Sequence, residues 1–90
     1  MPRKETVTKV IDGDTFTTAS RKHPVRLANL DAPEKGQPGA AKATQALRQL
    51  VQGKQVEIDT VARDTYGRSV ANVKQGGKSV NRAMRRKLRK

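Results

Sequence analysis

Five short β-branched segments, a single amphipathic helix between the third and fourth of them, and turn residues at almost every junction predict a mainly β (α+β) chain. That order of elements is the order of a five-stranded OB-fold barrel, here with a short basic C-terminal helix. Ninety residues suffice for one small domain. Residues 1–81 are expected to form the barrel domain, and residues 82–90 a basic helix or tail belonging to it.

Thr6 to Ile11 reads T-V-T-K-V-I and alternates as a strand. Asp12-Gly13-Asp14 then signals a turn, and Thr15 to Thr18 resumes β character, which makes a hairpin. Ser20 to Pro24 is a basic turn, and Val25 to Leu30 is the third strand. Asp31-Ala32-Pro33-Glu34 breaks it, and Lys35 to Gly39 is a flexible loop. Ala40 to Gln52 is the clear helix, with Ala40, Ala43, Leu47, Leu50 and Val51 on one face and Gly53 at its C-terminal cap. Gln55 to Val61 alternates as a fourth strand, Asp64-Thr65-Tyr66-Gly67 turns, and Ser69 to Val73 is the fifth. Gln75 to Lys78 is another turn. From Val80 onward, Val80, Ala83, Met84 and Leu88 mark a short, very basic amphipathic helix.

Charge narrows the function classes. Twenty Lys and Arg oppose eight Asp and Glu, a net charge of +12, and all the acids lie before residue 65. Such a field selects a polyanionic partner, nucleic acid ahead of anionic membrane. No cysteine is present, which excludes a disulfide scaffold, a thiolate metal site and a cysteine nucleophile. No apolar run is long enough to span a bilayer, so no membrane partner is expected. The opening Met-Pro-Arg-Lys-Glu carries no apolar signal core, so no export signal is expected in the chain as it stands, and the compartment stays open. Only 33% of the residues are hydrophobic and two are aromatic, Phe16 and Tyr66, so the core must be lean and aliphatic.

Three turns combine acids or arginines. Asp12-Gly13-Asp14-Thr15 closes a hairpin on its ordinary reading, Asp31-Ala32-Pro33-Glu34 resembles a capping box, and Asp64-Thr65-Tyr66-Gly67-Arg68 reads as a polar turn with an Asp–Arg pair. Together they say more. Asp14, Asp31 and Glu34 fall at strand ends, where such a barrel gathers its loops, with Arg26 and Arg68 close by in sequence. Oxygen donors without histidine or cysteine suit Ca²⁺ or Mg²⁺. Two arginines offer forks to a phosphate, and a remaining carboxylate can activate water. Those are the parts needed to hydrolyse a phosphodiester. His23, a lone histidine in a basic turn, reads as an ordinary surface residue.

The strings Val10-Ile11-Asp12-Gly13-Asp14-Thr15, Val25 to Glu34, Leu50 to Lys54 and Asp64 to Arg68 occur in the order and near the spacing of the staphylococcal-nuclease-like (thermonuclease) family, which the chain resembles from about Thr6 to Asn81. The resemblance implies Ca²⁺-dependent hydrolysis of DNA and RNA with little sequence preference, leaving 3′-phosphates. It implies that Asp14, Asp31 and the carbonyl of Ala32 ligate Ca²⁺, that Glu34 is the general base, and that Arg26 and Arg68 hold the phosphate. Tyr66 would approach the substrate phosphate, and Asp12 would support the ligands from behind. The chain departs from the family pattern at Ala32, where threonine is usual, and at Thr65, where lysine is usual. Family members also continue with further helices, and they are often secreted.

Two alternatives remain at this point: a nucleic-acid-binding OB module without catalysis, and a truncated, weakly active nuclease. Three clustered acids are a liability in a pure binder of polyanions unless a cation sits among them, and the scarcity of aromatics disfavours a base-stacking binder. The six bases from Arg82 to Lys90 read as a packed helix whose outer face attracts DNA. An oligomer is possible and cannot be read from the chain.

Overall fold

Alternation of β-branched residues builds the sheet, and the structure, a computed structural model, describes residues 3–88 of it. The elements are β1 (Arg3–Asp12), β2 (Thr15–Thr18), β3 (Val25–Leu27), α1 (Ala40–Val51), β4 (Gln55–Arg63), β5 (Ser69–Gln75), β6 (Lys78–Ser79) and α2 (Val80–Leu88). The strands run in the order β3-β2-β1-β4-β5, and a parallel pairing of β3 with β5 closes the ring. This is the expected five-stranded OB-type barrel, with the two-residue β6 appended to β5.

Several boundaries shift by a residue or two, β4 running on to Arg63 and β5 to Gln75, and three differences from the sequence reading have a clear cause. Strand β1 begins at Arg3 rather than Thr6, because its first four residues pair with β4 (Arg3 opposite Ile58, Thr6 opposite Gln55) before the strand passes to β2 from Val7 onward. One long strand thus serves two neighbours, as barrel closure demands. Strand β3 stops at Leu27 rather than Leu30, since Asn29 takes a left-handed φ of 62° and turns the chain out of the sheet. The expected turn at Gln75 to Lys78 is a tight hairpin, with Gly76 and Gly77 both at positive φ, and its far side adds β6.

The core is aliphatic around one ring. Val7, Val10, Phe16, Val25, Leu27, Val56, Ile58, Ala71 and Val73 fill the barrel, Leu47 and Val51 of α1 cover it, and Val80 and Met84 of α2 join the same cluster. Helix α1 ends where Gly53, at φ 75°, supplies the left-handed residue beyond its last turn. Asn81 carries the docking of α2. Its Oδ1 accepts the Val73 N–H at 2.8 Å, and its Nδ2 donates to the Ala28 and Ala71 carbonyls, each at 3.0 Å. One buried amide therefore ties the helix to the seam where β3 and β5 close the barrel. The part of the expected basic tail beyond residue 88 lies outside the described residues. No helix among the described residues is long and apolar enough to cross a membrane.

Candidate active site

The turn between β1 and β2 starts the site. Asp12 ends β1, and its Oδ1 accepts the Asp14 N–H at 3.1 Å, a side-chain-closed turn. Gly13 lies between them because nothing larger fits: a Cβ there would stand 2.6 Å from the Ala43 Cβ and 2.8 Å from the Ala32 Cβ. The turn thereby rests against both α1 and the loop that follows β3. Asp14 is buried as a result. Its Oδ1 accepts the Thr15 hydroxyl at 2.8 Å, and its Oδ2 accepts the Ala32 N–H at 3.2 Å.

Strand β3 supplies Arg26. Val25 and Leu27 on either side point into the core, so alternation turns Arg26 outward. Its Nη1 donates to the Leu27 carbonyl at 3.3 Å, and its Nη2 to the Leu30 carbonyl at 3.1 Å. The same Nη2 pairs with Asp31 Oδ1 at 2.6 Å and lies 3.4 Å from Asp14 Oδ2. One nitrogen therefore stands between two carboxylates that are 17 residues apart in the chain. Asp14 belongs to the buried side of this clasp, whereas the Asp31 side chain is 94% exposed.

The electrostatics separate the two neighbouring aspartates. Burial would raise the Asp14 carboxyl, but hydrogen bonds involving Asp12, Thr15 and the Ala32 N–H, with the charge of Arg26, hold it below the ordinary aspartate value. Burial and the adjoining Asp14 push Asp12 the other way, above that value. Asp14 is thus the carboxylate kept ionised, and Asp12 the one that gives up charge first.

The remaining expected residues stand at the margin. Glu34 is exposed; its N–H donates to Gln37 Oε1 at 2.7 Å, and its carboxylate has no hydrogen-bond partner among the described residues. Arg68 and Tyr66 belong to the turn joining β4 to β5, where Asp64 Oδ1 accepts both their N–H groups, at 2.9 and 3.0 Å. Asp64 Oδ2 takes the Arg68 Nε, and the guanidinium lies 5.3 Å from the centre of the Tyr66 ring, which is largely exposed. Arg68 sits two residues before Val70, the residue paired with Arg26 across the β3–β5 seam. Asp14, Arg26, Asp31 and Ala32 are therefore brought into contact, and Asp12 supports Asp14. Among the described residues, no hydrogen bond or ion pair links Glu34, Tyr66 or Arg68 to that group.

Sequence reasoning missed Gly13 as a packing residue and Asn81 as the anchor of α2. A D-G-D string explains itself as a turn, and an asparagine at the start of a helix looks like an ordinary polar residue. Neither gives a local signal of its tertiary contact.

With this geometry in view, the comparison with known proteins is direct. A family model described as "Staphylococcal nuclease homologue" matches residues 24–87. The chain belongs to that family. It is 40% identical over 81 residues to an uncharacterised endonuclease of Escherichia coli O157:H7, a match covering 87% of this chain and 53% of the relative. It is 37% identical over 81 residues to an uncharacterised endonuclease of Haemophilus influenzae, covering 87% of this chain and 46% of that protein. A micrococcal nuclease of Shigella flexneri is 36% identical over 69 residues, covering 74% of this chain and 40% of that protein. The chain thus spans about half the length of the curated relatives it matches.

For this staphylococcal-nuclease homologue, the donors available at the candidate site are those that suit a hard cation. Asp14 Oδ2 and Asp31 Oδ1 already converge on positive charge, that of Arg26, and every candidate donor is oxygen. Among the described residues, no group of three or more Asp, Glu, His or Cys side chains is placed to hold a metal ion.

Proposed function

We propose that this chain is a Ca²⁺-dependent nuclease that hydrolyses phosphodiester bonds of DNA and RNA with little sequence preference and leaves 3′-phosphates. The reading is carried by one observation: a single Arg26 nitrogen holds the carboxylates of Asp14 and Asp31, in a family whose relatives are named endonucleases. Asp14, Asp31 and the Ala32 carbonyl would hold Ca²⁺. The ion, when bound, withdraws charge from the phosphate oxygens and so favours attack at phosphorus.

The protein's own groups do the rest. Arg26 is poised at the carboxylates and needs only to exchange a carboxylate for a phosphate oxygen to bind substrate, a swap its planar fork permits. Arg68 reaches the phosphate from the neighbouring seam, held at its root by Asp64. Glu34, with no partner for its carboxylate among the described residues, takes a proton from water as the attacking oxygen bonds to phosphorus and the bond from phosphorus to the 5′-oxygen breaks, the leaving oxygen taking a proton from solvent to become the 5′-hydroxyl. Tyr66 contacts the substrate phosphate, and Asp12 fixes the Asp14 backbone. DNA and RNA are the partners, drawn by the net charge of +12.

The test is digestion of heat-denatured DNA by the purified chain, in Ca²⁺ or in EDTA, followed as acid-soluble release. Digestion that needs Ca²⁺ and disappears in Glu34→Gln supports the assignment. DNA that is retarded on a gel yet stays intact in Ca²⁺ identifies a binding module instead.

A further inference from the structure

We infer that the outer face of α2 is a phosphate-binding track that receives the nucleic-acid strand beside Asp31 and leads it away from the site. This rests on the nuclease reading only for where the track begins; the binding itself does not require cleavage.

The charge pattern comes first. Residues 65–90 contain nine bases and no acid. Arg82, Arg85, Arg86 and Lys87 all project from the nine-residue α2, and Arg82, Arg85 and Arg86 lie at spacings of three and four, so like charges face one another along one side. Among the described residues, the ion pairs engage Arg21, Arg26 and Arg68, and none engages a base of α2. The first turn of α2 also lacks an acid to complement the helix dipole. The like charges facing one another cost the isolated helix some stability, even with Arg85, Arg86 and Lys87 in its last turn where the dipole favours bases, and an external polyanion relieves that repulsion.

Position gives the patch its meaning. Arg85 and Leu88 share a surface hollow with Leu30 and Asp31, so Arg85 borders the loop that carries the exposed carboxylate of the site. One turn back along the helix, Arg82 and Arg86 share a second hollow with Lys78 and Ser79. Arg82 faces Arg85 at a spacing of three and Arg86 at four, which joins the two hollows into a single basic strip. The strip runs from Asp31 through Arg85 and Arg82 to Lys78.

The opposite face of α2 chooses between polyanions. Val80, Asn81 and Met84 are buried in the domain, so the helix has no apolar face left to insert into a bilayer. A surface helix that binds lipid uses that face as well as its bases. A strand of phosphates needs the bases alone.

The experiment measures binding of a fluorescent single-stranded DNA oligonucleotide in EDTA across a KCl series. It compares the unaltered chain with the triple variant Arg82→Ala, Arg85→Ala, Arg86→Ala and with the triple lysine variant at the same positions. Three lost phosphate contacts lower the slope of log K against log salt by about 2, with affinity at low salt falling about tenfold or more, while the lysine variant keeps the slope. A triple alanine variant that melts like the unaltered chain and binds with the same slope and affinity overturns the track. So does a loss seen on vesicles of phosphatidylserine and phosphatidylcholine but not on DNA. A chain that binds through these arginines yet leaves DNA intact in Ca²⁺ keeps the track and refutes the nuclease reading.

Discussion

Arg26 Nη2 and Asp31 Oδ1 lie 2.6 Å apart, closer than that nitrogen comes to Asp14 Oδ2 at 3.4 Å. The exposed carboxylate is therefore the tighter partner of the guanidinium, and the buried one is shared between Arg26, Thr15 and the Ala32 N–H. A charge-assisted contact at the surface is cheap to break, because water can replace either partner. On the proposed reading, Asp31 would turn to a cation while Asp14 stays fixed, and the arginine freed by that turn would be available to a phosphate.

Asp31→Asn should consequently separate metal binding from folding. Its side chain is almost fully exposed, so the melting temperature should move by less than a few degrees, as surface changes usually do. Calorimetry should show Ca²⁺ binding weakened, and the gain in Ca²⁺ affinity produced by a nucleotide in the unaltered chain should vanish. Undiminished coupling in the variant would place the cation elsewhere.

Turnover should depend on the groups at the margin as strongly as on the clasp. Glu34→Gln and Arg68→Lys should each lower the rate of DNA hydrolysis by about 10²–10⁴, the usual range for removing a general base or a transition-state charge clamp. Lysine keeps the charge of Arg68 and its backbone N–H bond to Asp64 Oδ1, but it cannot reproduce the fork and gives up the Nε contact to Asp64 Oδ2. Full rates in both variants would remove these residues from the chemistry.

Gly13 is where turn and site meet. A methyl group there would overlap both the Ala43 Cβ and the Ala32 Cβ, and lie 3.3 Å from the Ala43 carbonyl carbon. Neither neighbour has a flexible end that can swing aside. Gly13→Ala should destabilise the fold by about 1–3 kcal/mol, the cost of overpacking, and should lower activity by displacing the loop that carries Asp31 and Ala32. Thermal denaturation and the digestion assay test the two effects separately; an unchanged melting temperature would contradict the close approach.

Much of this fold was legible in the chain because its signals are local. Val56 and Ile58 in Gln55 to Val61, and the helical face from Ala40 to Val51, bury one side and so imprint their period on the sequence, whereas a bulge in β1 buries Val7 and Val10 out of strict alternation and leaves Ile11, like Val61, exposed. The site strings were legible for a related reason, since acids and arginines at turns have few purely structural reasons to recur together. What could not be read were relations fixed by closure of the barrel. The end of β3 at Leu27 follows from its parallel pairing with β5 and from Asn29, and the reach of β1 back to Arg3 follows from β4. The Arg26 clasp also joins residues whose approach depends on the turn at Gly13 rather than on spacing.

Asn81 offers the sharpest test of the docking of α2. Replacing it with alanine leaves the Val73 N–H and part of the acceptor capacity of Ala28 and Ala71 without a partner, inside a nearly dry seam. The expected cost is about 2–4 kcal/mol, from an unsatisfied buried donor together with weakened acceptors. Aspartate is the informative contrast: it can still accept from Val73 but cannot donate to the two carbonyls, and it buries a charge, so Asn81→Asp should be no better than alanine near neutral pH. Denaturant titration would show the midpoint falling in both variants. A midpoint unchanged in Asn81→Ala would mean that the amide does not hold the helix to the barrel.

Acid should weaken the fold through a second, separate network. Glu5 is buried on β1, accepting hydrogen bonds from Thr18 at 2.9 Å, Ser20 at 2.8 Å and the Arg21 Nε at 2.8 Å, while Arg21 Nη1 donates to Ser69 at 3.0 Å. Burial pushes the Glu5 carboxyl up, but the bonds from Arg21, Ser20 and Thr18 and the charge of Arg21 outweigh it, so the folded value lies below the ordinary 4.5. A carboxyl whose value is depressed by folding binds its proton more readily in the unfolded chain. The stability it contributes is complete above the ordinary value and is lost as the pH falls through the folded one. Glu5→Gln should therefore lower the melting temperature at pH 7, by an amount corresponding to about 1–2 kcal/mol for charge-assisted bonds at a partly exposed arginine. The difference from the unaltered chain should shrink as the pH is lowered below about 4.5. Melting curves between pH 3 and 7 decide the matter: two parallel profiles would mean that Glu5 carries no acid-labile stability, whereas profiles that converge at the acid end assign that loss to this carboxylate.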